Sequence, residues 1–65
     1  MKKTIGAILT ELRGDRSQKE VAEAVGISLS ALSSYERNER VPRDEKKMAI
    51  ARYYKRDVGS IFFSR

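Results

Sequence analysis

The sequence has no cysteine and no histidine, and its apolar runs are only a few residues long. Each absence closes off a class of protein. Without cysteine there is no disulfide and no thiolate zinc site, so helix packing must supply the stability of a 65-residue chain. Without histidine, the commonest general base and metal ligand is missing. Nothing is long and apolar enough to span a membrane, and Lys2 and Lys3 lead into no signal-peptide core. There is no phosphate-cradling loop, internal repeat, low-complexity run or linker. A chain of this size builds a modest core and has no room for a sizeable pocket. The expectation is a protein that is not an enzyme and uses no metal, cofactor or small-molecule substrate. A cysteine-free chain suits a reducing cytoplasm, the expected location.

What the sequence has in excess is positive charge. Lysine and arginine number 14 against 9 acidic residues, a net charge of +5. That balance favours polyanionic partners, and it also serves solubility in a small domain.

The chain is organised around Gln18 to Arg37. Val21, Ala22 and Val25 lie on one face of a first helix, Gln18 to Val25. Ser17 opens it and Glu20 follows three residues later, a capping box. Gly26 stands where this helix ends, where a left-handed backbone costs glycine little. Ile27 bridges the break, and Ser28 is a natural N-cap for a second helix running to about Arg37. Leu32 and Tyr35 form its inner face, and small Ala22 lets the two helices approach closely.

The flanking segments also read as helix. Thr4 to Arg13 carries Ile5, Ile8, Leu9 and Leu12 in a core-facing stripe. Gly6 interrupts it, a loss of about 1 kcal/mol relative to alanine. Gly14 and Asp15 end it in a turn. After Pro42 a fourth helix begins near Arg43 or Asp44. Met48, Ala51 and Tyr54 form its expected inner face, with Ile50 a further candidate. Lys46, Lys47, Arg52, Lys55 and Arg56 make its outside basic. Asp57 reads as the N-cap of a short fifth helix, Val58 to Phe63. Ile61 and Phe62 complete the core, and Phe63 has no obvious place in it. The fold class is all-α: a compact bundle of about five short helices in one domain spanning 1–65, with no fused sensor or dimerisation domain.

On these residues the central stretch resembles the helix-turn-helix of the lambda-type phage repressors and Cro proteins, the XRE-like family. Gln18 takes the family's first place, Ala22 its fifth and Gly26 its ninth. Val21, Val25, Ile27, Leu32 and Tyr35 are apolar where the family is apolar. The run Tyr35 to Pro42 is similar to the family's link from recognition helix to fourth helix. The likeness covers nearly all of the chain, most firmly Ser17 to Pro42. It implies a lambda repressor-like fold whose helices two and three form the motif. It also implies a sequence-specific regulator of transcription, a repressor that binds double-stranded DNA at a pseudo-palindromic operator as a homodimer. The alternative is an antitoxin-type protein that binds a partner protein as well as DNA. The chain departs from the family in two places. The turn before Ser17 is about two residues shorter, and Arg56 stands where the family is often apolar.

The resemblance assigns candidate roles. Ser28, Leu29, Ser30, Ser33 and Ser34 are the candidates for reading base edges. Serine serves several edges, and Leu29 is either a thymine-methyl contact or a scattered surface apolar residue. Gln18 and Lys19, at the positive end of the Gln18–Val25 helix, and Arg37, Arg40 and Arg43, around the exit loop, are the candidates for holding phosphate. Arg13 and Glu36 stand where family members often pair inside the domain; the other reading is two solvated charges. Phe63 is the candidate dimer anchor, or else a packed terminal aromatic.

Overall fold

Short polar residues set the helix starts in the computed structural model, which describes residues 4–63. The described residues form five α-helices: α1 (Ile5–Arg13), α2 (Gln18–Val25), α3 (Leu29–Glu36), α4 (Asp44–Tyr54) and α5 (Val58–Phe62). Three starts are capped by a hydroxyl that accepts from an otherwise orphaned backbone N–H. Thr4 takes Ala7 N–H at 3.1 Å, Ser17 takes Glu20 N–H at 3.0 Å, and Ser28 takes Ala31 N–H at 3.0 Å. Gly26 ends α2 in the left-handed region at φ 87°, and Gly26 and Ile27 both donate to Ala22 O. That closure makes the corner of the helix-turn-helix. Asp57 occupies the N-cap position of α5 as expected, but its side chain makes no capping bond. Its carbonyl accepts from Ser60 N–H and from the Ser60 hydroxyl instead.

Packing then joins the helices around two linked apolar clusters. Leu9, Tyr35, Ile50, Ala51, Ile61 and Phe62 form the larger, and Val21, Ala22 and Leu32 the smaller. Val25, Ile27 and Tyr54 pack against both, so Ile27 does plug the corner between α2 and α3. α3 is held from two sides, by α1 and by α2, while α4 packs on α2 and α5.

Two expectations need correction. Met48 is not on the inner face of α4 but 54 % exposed; the buried residues are Ile50 and Ala51. The helix is turned so that Lys47 takes the inward position. Its side chain is only 14 % exposed, and its ammonium lies 4.6 Å from the centre of the Phe63 ring. A lysine stem covers apolar surface while its charge rests on an aromatic face. Gly6, in turn, is not merely a weak point of α1. It is buried where α1 crosses the end of α3, and a Cβ there would collide with the Glu36 carbonyl.

Two predictions follow from this packing. Helix propensity alone would have Gly6→Ala stabilise the domain. The collision with backbone reverses that sign, and the variant should lose about 1–3 kcal/mol in urea denaturation. The second concerns Tyr54, whose hydroxyl is buried and has no hydrogen-bond partner among the described residues. Burial, and secondarily the nearby Glu36 charge, push its phenol up to about 12. The folded-state value lies above that of the unfolded chain, so the stabilisation is complete below pH 10 or so and is lost as pH rises toward 12. Tyr54→Phe should match the native stability at neutral pH, or exceed it by up to about 1 kcal/mol. Above about pH 10 its advantage should widen in parallel denaturation series.

Candidate nucleic-acid interface

The outward face of α3 is narrow because α1 and α2 both cover the helix. Ser28 and Ser30 are exposed, Leu29 is 49 % exposed, and Ser33 is half-buried. Leu29, Ser33 and Arg37 follow one another at intervals of four residues and make a single ridge. Ser34 is a correction: it is 9 % exposed and lies inside, flanked by buried Leu32 and Tyr35. The chain leaving α3 closes the end of the helix, with Glu39 N–H donating to Ser34 O at 2.9 Å. Its spacing from Ser30 is helical, but Ser33 rather than Ser34 shares the open surface.

Around the C-terminal end of α3 stand Arg37, Arg40 and Arg43, all exposed, with Lys19 exposed on the first turn of α2. Arg37 is not free: its guanidinium meets Glu39 Oε1 at 3.1 Å in an exposed pair. Such a pair is weak in water and can be given up for a phosphate. Gln18 is half-buried, and its amide Nε2 donates to Glu36 Oε1 at 2.8 Å.

Glu36 is where the site is built. Its side chain is 4 % exposed, and Arg13 grips it with two parallel bonds, Nε to Oε2 at 2.9 Å and Nη2 to Oε1 at 3.1 Å. The expected pair therefore forms in spite of the shortened turn. Arg13 Nη1 also donates to Arg16 O at 2.8 Å, which ties down that turn. One carboxylate thus links the end of α1, the start of α2 and the end of α3. A residue that sequence reasoning passed over completes the frame. Asn38 sits in the left-handed region at φ 62°, accepts Gly6 N–H at 2.9 Å and donates to Thr4 Oγ1 at 3.2 Å. The first residue of the exit loop is in this way a tertiary cap for α1. The available signal was its type, since asparagine tolerates a left-handed backbone better than most residues.

No cluster of residues able to hold a metal ion occurs among the described residues, and no described helix is long and apolar enough to cross a membrane. Phe63, 58 % exposed, lies beyond α5 beside exposed Met48, at a groove of about 280 Å³ that Asp44 and Val58 also line.

An open helix face beside a left-handed corner, with arginines at its far end, defines a helix-turn-helix class of protein. The chain belongs to that family: the Helix-turn-helix family model matches residues 9–61, and the class is one of DNA-binding regulators of transcription. The fold is similar to that of the P22 c2 repressor protein, solved in complex with a synthetic operator, with a TM-score of 0.92 over 98 % of this chain and 100 % of that one. Sequence identity to it is 21 %, so this likeness speaks for the fold. No curated protein matches the chain in sequence.

The exposure of α3 makes a prediction about stability. Leu29→Ala should change the unfolding free energy by less than about 0.5 kcal/mol, as surface changes do. Leu32→Ala, at a position only 1 % exposed, should cost about 2–5 kcal/mol. A large loss in Leu29→Ala would mean that the leucine belongs to the core.

Proposed function

We propose that the protein is a repressor that binds a pseudo-palindromic DNA site as a homodimer. One observation carries this reading: the outer face of α3 bears Ser28, Leu29, Ser30 and Ser33, with no acidic side chain before Glu36, whose carboxylate is buried. A helix surface of short polar residues and one apolar side chain can enter a major groove without repelling phosphate. The first residues of such a helix reach deepest, so Leu29 and Ser30 read bases, Leu29 through a thymine methyl. Ser33 follows on the same ridge. Arg37, Arg40 and Arg43 hold phosphates along the groove edge, and Gln18 and Lys19 hold another at the start of α2. Repression follows from occupying promoter DNA.

A single domain has too short a reach to act alone. One recognition helix reads too few base pairs for a long site, and paired helices enter successive grooves about 34 Å apart. Exposed Phe63, beyond α5, and Met48, on α4, line one groove and supply an apolar anchor for the second copy.

Selection of bound duplexes from a random pool tests the reading. The selected site should show two-fold symmetry with half-sites one helical turn apart. If each chain holds about three phosphates, the slope of log affinity on log salt should be roughly −5. A site without symmetry, or affinity indifferent to salt, contradicts it. On that operator Arg40→Ala should weaken all sequences alike and flatten the slope by about one unit. Leu29→Ala should cost on the order of 1 kcal/mol at a single A·T pair. Glu39→Gln, which frees Arg37, should tighten binding to every sequence.

A further inference from the structure

We propose that Glu36 is a positioning residue for DNA binding, one that holds the Gln18 amide ready for phosphate; the assignment rests on the DNA-binding reading above. Gln18 Nε2 is bonded to Glu36 Oε1 at 2.8 Å. A glutamine amide carries two hydrogens and one oxygen. Glu36 takes one hydrogen, and the second remains for a phosphate oxygen. A long side chain loses much rotamer freedom when it is fixed. Here that loss is incurred on folding, so binding does not incur it again. A bare carboxylate so close to a phosphate would repel it. The two bonds from Arg13, at 2.9 and 3.1 Å, neutralise the charge while leaving Oε1 able to accept from Gln18. The pair therefore has a use beyond joining α1 to α3: it turns the base-reading helix and the α2 phosphate contact into one rigid unit.

Two double variants separate this role from a structural one. R13M/E36Q and R13M/E36L both lack the ion pair and carry the same net charge. Only the first keeps an oxygen at residue 36 that can accept from Gln18. On the operator selected by the native protein, R13M/E36Q should bind about tenfold more tightly than R13M/E36L, the value of one well-placed hydrogen bond. The salt slopes of the two should be equal, because the contact in question is neutral and releases no counterion. Adding Gln18→Ala should erase the difference. A purely structural Glu36 would shift denaturation midpoints and leave the two affinities equal. Side-chain ¹⁵N relaxation of native, DNA-free protein gives an independent reading that does not depend on any variant folding. The Gln18 amide should be as rigid as backbone, with an order parameter of about 0.85. Equal affinities of the two folded variants, or an order parameter below about 0.6, overturns the assignment. A native protein that selects no DNA overturns the reading beneath it as well.

Discussion

A single buried carboxylate sets the geometry of the first three helices. Apolar contacts bring α1, α2 and α3 together, but they are non-directional and tolerate sliding. Glu36 removes that freedom. Its two oxygens accept from Arg13 on α1 and from Gln18 on α2, with donors at fixed angles. Burying a charge is expensive, and a fork-on-fork arginine pair is one of the few arrangements that compensates it. The pair then constrains its neighbours. Arg13 also binds Arg16 O, and the backbone of Glu36 lies so close to α1 that only glycine fits at position 6. Asn38, two residues on, caps α1 from the other direction. These contacts, together with the turn that Arg13 ties down, determine where α1 lies.

This frame leaves one side of α3 open, and the surface chemistry divides accordingly. The open ridge is short, polar and free of acidic groups, the exit loop is rich in arginine, and the acidic Glu20 and Glu23 sit on exposed positions of α2. A basic protein carrying a net charge of +5 is drawn to polyanions in general. The proposed reading of bases needs a rigid helix face held in one orientation, and the Glu36 network ties α3 to α1 and α2.

Much of this was legible in the sequence because it is written in local signals. Ser17, Ser28 and Gly26 mark helix starts and a stop through their own backbone and capping chemistry, and each acts as read. The stripe of α1 and the inner residues of α2 and α3 follow from period alone. The misses share a cause: they depend on what a distant segment does. Met48 is the more apolar residue, yet Lys47 turns inward because the Phe62 and Phe63 rings offer its stem a surface and its charge a face. Ser34 has the right spacing from Ser30, yet it lies on the packed side of α3 with Leu32 and Tyr35, where the helix meets its neighbours. Gly6 looks like a weak helix residue until α3 crosses it. Asn38 looks like a loop residue until α1 needs a cap. The Arg13–Glu36 pair was implied by family resemblance; its third partner, Gln18, was not.

The central claim is that Glu36 and Arg13 act as one unit within the fold. Chemical denaturation of the native protein, Arg13→Met, Glu36→Leu and the double variant tests it most directly. Either single change strands a buried group and should cost about 3–5 kcal/mol, while the double change should cost less than either alone. Small and additive losses would contradict the account, since two charges that do not depend on each other cannot hold three helices in place.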